Sequence, residues 1–276
     1  MELAPSIDNF LHTHSAIPGL TDVGKYLIAD AIGKAERKSP LFVSFDNQNR
    51  DTLPKGIDRT WLGALFKSLA TGRDYQSFLD GLNRIHFVTF NYDRCIERFF
   101  GLAVPSYFNV RPESRFWQSL HITHVFGITA AYDFEHTIRG KIDEYIQEEW
   151  HQAMMLEAPK TIRTFTEGVD SSVGVSIKQA LQDSSLLLFL GFGFHPLNMK
   201  FFNMAQGNKK VRVLGSTLGL SEPNVDEVWG DISQAIKCSG NPRGSSLDRV
   251  SLYAATASQL IYDHARSIEK ALGIHR

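Results

Sequence analysis

The sequence predicts an α/β protein built on a mainly parallel, doubly wound sheet. Short apolar runs recur along the chain, and segments with helical periodicity separate them. With 276 residues, 43% of them hydrophobic, the chain can bury a large core. We therefore expect a single domain over residues 1–276, with a helical insertion at about 132–181.

The first part of the chain has a helical pattern. Apolar residues recur at three- and four-residue spacing between Ile7 and Arg37, and Ser39 and Pro40 follow as an end signal. The polar stretch 46–55 predicts a loop, and apolar residues in 61–69 indicate another amphipathic helix.

Five apolar runs are expected to form strands. The first, IHFVTF at 85–90, has little alternation, as is typical of a strand buried on both faces. NYDRCIERFF follows without a turn signal, and its spacing of apolar residues favours a helix. The other four expected strands are His121 to Gly127, Ser185 to Gly191, Lys210 to Gly215 and Ser251 to Ala255.

Charge and hydropathy exclude several classes of function. The formal net charge is -1 and the sequence pI is about 6.8, so the chain lacks the positive field that nucleic-acid binding requires. The longest apolar run, 186–194, is too short to cross a bilayer, and the first residues lack a basic leader. We expect a cytoplasmic protein with neither a membrane nor a nucleic-acid partner.

The cysteine and histidine content argues against a metal centre. The two cysteines, Cys95 and Cys238, are too few for a disulfide framework or for a four-cysteine zinc site. The histidines show no metal-ligand spacing together with carboxylates or thiols. We therefore expect no metal.

Polar residues follow several of the expected strands. In a parallel sheet, ligands bind beyond the carboxyl ends of the strands. Asn91 and Asp93 follow the first strand, where they could orient a ribose or a water molecule, and His124 could accept a proton near neutral pH. Glycines at the later strand ends would let a nucleotide approach the backbone closely.

The order of these motifs resembles the sirtuin-like proteins, which consume NAD on a Rossmann-like sheet. That family has a Thr-x-Asn-x-Asp motif after a strand, and Thr89, Asn91 and Asp93 match it. The family then has a histidine followed closely by glycine, which His124 and Gly127 resemble with two residues between them.

The second half of the chain extends the resemblance to the nucleotide side of the site. A glycine-rich strand end for ribose and phosphate is similar to Gly191 and Gly193, with Asn198 downstream. A final strand end resembles Gly215 and Ser216. The segment SIDNFL, followed later by VGK, resembles the bacterial branch of the family that is associated with antiphage defence.

The resemblance implies that NAD+ is the substrate and that the nicotinamide–ribose bond is cleaved while positive charge develops on the sugar. It assigns Asn91 to a ribose hydroxyl or the attacking water, Asp93 to the nicotinamide side and His124 to the general base. It also implies a homo-oligomer or a partner from a defence system.

Two features of the family are missing from this chain. Protein deacylases of the family carry a four-cysteine zinc module, so deacylation ranks last among the hypotheses and an NAD+ glycohydrolase ranks first. The family also opens with a strand and a Gly-Ala-Gly phosphate loop, whereas this chain starts after that point, near Ser6. We expect either a natural protein that extends upstream of Met1 or a shortened relative.

Each candidate residue also has a purely structural interpretation. Asn91 and Asp93 could cap a helix, and His124 could be a hydrogen-bonded core histidine. Gly191 and Gly193 could serve tight turns. If these interpretations hold, the chain is an inactive module that binds NAD or ADP-ribose, or an interaction module that self-associates through its helical insertion.

Overall fold

A computed structural model describes residues 7–41, 53–111, 113–129, 159–164, 167–168, 171–202, 211–236 and 249–273. It is a mixed α/β protein, as the sequence predicts. Its helices and strands, numbered in chain order, are α1 (Ile7–Thr13), α2 (Leu20–Lys38), α3 (Trp61–Ala70), α4 (Tyr75–Leu82), β1 (His86–Thr89), α5 (Cys95–Phe108), α6 (Ser114–Ser119), β2 (His121–His124), α7 (Ser171–Asp183), β3 (Leu186–Phe189), α8 (Pro196–Phe202), β4 (Arg212–Ser216), α9 (Glu222–Ala235), β5 (Val250–Tyr253), α10 (Ala257–Asp263) and α11 (Ala265–Ala271).

The chain divides into two compact units, and each unit is built from separate stretches of sequence. The first unit contains Met1–Lys55 and Phe87–Asp170, and the second contains Gly56–His86 and Ser171–Arg276. The chain therefore passes from one unit to the other three times. The predicted insertion at 132–181 lies largely outside the described residues, and α7 covers its end.

In the first unit, the helical pattern between residues 7 and 37 forms two helices. The break falls before Gly19, which caps α2 with a φ of 76°, a left-handed conformation that glycine adopts without steric cost. Ser39 is the C-cap, and its backbone N–H donates to Glu36 O at 2.9 Å, so α2 ends where the sequence predicts.

The two strands of the first unit pair with each other and end side by side. β1 pairs with β2, and Val125 N, just after β2, donates to Thr89 O at 2.9 Å. Aromatic residues at the start of α5 cover β1: the Phe87 and Phe100 rings lie 5.8 Å apart, and Phe99 packs edge-on against Phe100 at 5.3 Å. This packing fixes the direction in which the chain leaves β1.

In the second unit, β3, β4 and β5 form a parallel sheet with β4 in the centre. Val213 and Leu214 of β4 are fully buried, as expected for the middle strand of a covered sheet. The helices α3, α10 and α11 pack together in the same unit. All five strands lie within or beside the runs that the sequence predicts, and in the described residues they form two small sheets.

None of the helices in the described ranges combines the length and the apolar character needed to cross a membrane.

Candidate functional site

The chain turns sharply between β1 and α5, where three of the predicted site residues lie. The Thr89 hydroxyl accepts a hydrogen bond from Asn91 N at 3.2 Å, which tightens the turn. Asp93 Oδ1 accepts from Cys95 N at 3.0 Å, an Asx-type contact just before α5, whose N-cap is Arg94. The Asp93 carboxylate thus has a backbone partner in the turn, whereas Asn91 is exposed.

His124, the last residue of β2, lies directly against this turn. Its ring Nδ1 is 3.2 Å from Asn91 O, and its Nε2 is 3.0 Å from Glu97 Oε1. Its side chain is only 11% exposed. The structure thus brings together His124 and Asn91, two residues that the sequence predicts as catalytic and that lie 33 positions apart.

Glu97 is a member of this site that the sequence analysis did not identify. It lies on α5 and is 5% exposed, although carboxylates are rarely buried without partners. A signal was available, because Glu97 is a charged residue that closely precedes the apolar Phe99 and Phe100 in a helical pattern. Spacing alone did not indicate that Glu97 would meet His124.

Burial and charged partners have opposite effects on the pKa of Glu97. Arg94 Nε forms an ion pair with Glu97 Oε1. Burial by itself would raise the pKa of Glu97, but the hydrogen bond from His124 and the charge of Arg94 hold it below its ordinary value. Glu97 is therefore a carboxylate at neutral pH.

Two further titratable groups line the same turn. Burial raises the pKa of Glu36, whose carboxylate accepts from Arg94 N at 3.3 Å and lies near the charges of Asp93 and Glu97. Burial, together with the Asp93 charge, also raises the pKa of the Cys95 thiol far above its ordinary value. Cys95 is consequently a protonated thiol, which is a poor nucleophile.

Gly127 makes a close backbone contact of its own. Its φ is 84°, and a Cβ at this position would lie 1.9 Å from Thr161 O. Gly127 forms an isolated antiparallel bridge with Ile162, and Arg163 N donates to Phe126 O at 2.8 Å. Glycine is required here because the 159–164 segment passes directly over the backbone.

The remaining predicted residues belong to the second unit, where they surround the loop after β3. Gly191 and Gly193 are exposed, have φ values of 60° and 68°, and have no neighbouring atom within 4 Å of a hypothetical Cβ. Ser216, at the end of β4, is buried; its Oγ accepts from Gly191 N at 2.9 Å and donates to Phe189 O at 3.3 Å. The loop is therefore anchored at one end and open above its glycines.

Gly215 and Asn198 lie on either side of this loop. A Cβ at Gly215 would lie 2.7 Å from Leu252 Cδ2 and 3.3 Å from the Phe194 ring, so glycine makes room for aromatic packing beneath the loop. Asn198 is half-buried in the first turn of α8, where its backbone N–H donates to His195 O at 2.9 Å. These contacts give both residues a structural role within the second unit.

A separate cavity of about 590 Å³ lies in the second unit between α3, α4 and the end of α11. Arg73, Asp80 and Arg84 are among its lining residues, and it contains none of the residues predicted for the site. In the portions of the chain that the structure describes, no group of three or more histidine, cysteine, aspartate or glutamate residues is arranged to hold a metal ion.

No protein-family model matches the sequence, and neither a characterised protein nor a solved structure shows significant similarity to the chain. The functional hypothesis therefore depends on the residues and their geometry. At the end of β2, a histidine is oriented by a carbonyl on one side and a buried carboxylate on the other.

Proposed function

We propose that this protein is a sirtuin-like NAD+ hydrolase that cleaves the nicotinamide–ribose bond. The observation that carries the proposal is the His124 ring, held between Asn91 O and Glu97 Oε1 where β1 and β2 end side by side. Strand ends of this kind are the usual position of ligands in parallel α/β sheets. A histidine with a carboxylate partner is also the usual means of moving a proton at neutral pH.

The reaction assigns a separate role to each side chain of the turn. Cleavage leaves positive charge on the ribose, and a water molecule then attacks the sugar carbon while losing a proton. The exposed Asn91 side chain orients a ribose hydroxyl or this water, and His124 takes the proton. Asp93 holds the start of α5 in position and, by the resemblance, faces the nicotinamide side.

Within the second unit, the loop after β3 carries residues that the resemblance assigns to nucleotide contacts. The open space above Gly191 and Gly193 would let a ribose or phosphate approach the backbone, and Ser216 holds the end of β3 that carries them. The resemblance also implies a Rossmann-like sheet, which we include in the proposal. The parallel pairing of β3, β4 and β5 supports it. An antiphage role through NAD+ depletion follows from the same resemblance.

The test is chromatographic detection of nicotinamide and ADP-ribose after the purified protein is incubated with NAD+. The wild type should release both products, and His124→Ala and Asn91→Ala should each slow release by roughly 10²- to 10⁴-fold because a positioned proton acceptor or its orienting partner is lost. His121→Ala is the matched control, since His121 is an exposed histidine on the same strand. Equal release by the wild type and by both site variants would rule out this site.

A second candidate, an inactive module that binds NAD or ADP-ribose, is favoured by one observation. Both ring nitrogens of His124 already contact protein groups, which leaves no free lone pair for a substrate in this conformation. Titration calorimetry distinguishes the two candidates. Tight binding of ADP-ribose without any nicotinamide release would select the binding module.

A further inference from the structure

Glu97 is a buried charge whose partners determine what it can do. The residue is 5% exposed and lies beside fully buried phenylalanine rings on α5. Removing a carboxylate from water is unfavourable unless hydrogen bonds compensate for the lost solvation. Among the described residues, its Oε2 is buried and has no hydrogen-bond partner, so the compensation is concentrated on Oε1.

Two cationic or potentially cationic groups share Oε1. Arg94 Nε approaches it from the first turn of α5, and His124 Nε2 approaches it from β2 at 3.0 Å. Burial that leaves one carboxylate oxygen without a donor is not the arrangement that maximises stability. The position of Glu97 therefore favours a role in controlling His124.

Hydrogen-bond chemistry determines where the protons of the His124 ring lie. A backbone carbonyl can only accept, so the contact with Asn91 O requires a proton on Nδ1. A carboxylate also accepts only, so the contact with Glu97 Oε1 requires a second proton between Nε2 and this oxygen. With both contacts made, the ring carries two N–H groups.

We propose that Glu97 is the positioning residue of the site, because its Oε1 binds the Nε2–H of His124 and thereby holds the ring against the Asn91 carbonyl. The consequence for catalysis rests on the proposed function: Glu97 keeps the ring against the turn that presents Asn91, so a change in ring orientation should slow proton transfer. Glu97 thus fixes the orientation of the ring.

Other titratable groups also lie near the turn that carries the ring. Arg94 and Asp93 flank the turn before α5, and Glu36 reaches it from α2. The thiol of Cys95 is neutral and contributes no charge. Glu97, by contrast, is in direct hydrogen-bond contact with the His124 ring.

The primary experiment measures the state of the His124 ring by ¹⁵N nuclear magnetic resonance in the full chain, with the signal assigned by its loss in His124→Gln. The wild type should show an Nε2–H that is hydrogen-bonded to a carboxylate. In Glu97→Gln, Nε2 should lose its proton while Nδ1 keeps the bond to Asn91 O. Glu167→Gln is the matched control, because Glu167 forms an ion pair with Lys25 at 2.7 Å in the same unit without contacting His124.

The second readout is the kinetics of nicotinamide release, with kcat and KM measured separately. A merely structural role for Glu97 would not separate kcat from KM, whereas loss of ring orientation should. The plateau kcat should fall roughly 10- to 100-fold with little change in KM, since a ring without its orienting partner is less often in position. Glu97→Asp, whose shorter side chain withdraws the carboxylate from the ring, should lower kcat in the same direction.

Each outcome decides the proposal. A wild-type pattern of ring protonation in a folded Glu97→Gln variant would overturn it. If Glu97→Gln does not fold, Glu97→Asp replaces it, and an unchanged Nε2–H signal with the shorter side chain would likewise contradict a direct bond. If the wild type releases no nicotinamide, the proposed function fails, but the ring measurement still tests whether Glu97 controls His124.

Discussion

Glu36 and Glu97 are neighbouring carboxylates whose environments shift their pKa values in opposite directions. Glu97 has a histidine and an arginine as partners, and its pKa is lowered in spite of burial. Glu36 is half-buried near the negative charges of Asp93 and Glu97, and burial raises its pKa. The sequence predicted Asn91, Asp93 and His124 from their places after strands, but it could not predict which acids the fold would bury around them.

Replacing Glu36 with glutamine should stabilise the protein at neutral pH. A raised pKa means that the folded state disfavours the ionised carboxylate, so stability is lost as the pH rises from the unfolded pKa through the folded one. The amide oxygen of glutamine can still accept the Arg94 N–H. We expect the melting temperature near neutral pH to rise by roughly 2 °C. At about pH 4 the gain should disappear, because Glu36 is then largely protonated in both states; an equal gain at both pH values would contradict the charge argument.

At the scale of elements, local signals predicted where helices and strands start and stop better than how they pair. Ser39 ends α2 as predicted, and α5 starts within the NYDRCIERFF segment. The strand expected over 121–127 stops at His124 because Gly127 turns the chain with a positive φ. The division of the described strands into two sheets depends on tertiary packing, which periodicity does not report.

Two buried serines of the second unit allow a matched test of the loop after β3. Ser216→Ala should lower the free energy of unfolding by about 1–2 kcal/mol, because Gly191 N and Phe189 O lose their partner. Ser233 is equally buried in α9, but its Oγ has no hydrogen-bond partner within the described residues. Ser233→Ala should therefore be neutral or slightly stabilising. Urea unfolding of both variants measures the difference, and equal losses would refute the role assigned to Ser216.

At the scale of the whole molecule, the sequence predicted the α/β class but not the division of the chain. Composition and alternating patterns indicate how much core a chain can form, whereas the passage between units depends on contacts between residues far apart in sequence. Within the first unit, one such contact is the ion pair between Lys25, whose side chain is 6% exposed, and Glu167. Its two residues lie 142 positions apart.

Stability should fall with acidification, and two glutamates should account for a measurable part of the loss. Despite the opposing effect of burial, hydrogen bonds hold the pKa of both Glu97 and Glu167 below the ordinary value. Their contribution is therefore present above the unfolded pKa and is lost as the pH falls through the folded one.

We expect the double variant Glu97→Gln/Glu167→Gln to lose roughly 2 kcal/mol or more near neutral pH, mostly through Glu97, because the Glu167 side chain is 37% exposed and partly screened. Urea unfolding along a pH series should show the gap between wild type and variant closing below about pH 4.5. A gap that stays constant with pH would mean that neither glutamate has a lowered pKa.

The interleaving of the two units has a consequence during synthesis on the ribosome. Tyr262, at the end of α10, donates to Asp58 O at 3.1 Å across 204 residues of sequence. At translation rates of about 5–20 residues per second, the α3 region waits roughly 10–40 s for this partner to emerge. During that interval the apolar face of α3, which includes Leu65, Phe66 and Leu69, has no native cover from α10. The nascent chain is therefore a natural client for a ribosome-associated chaperone, and production should improve when such a chaperone is supplied or translation is slowed at low temperature.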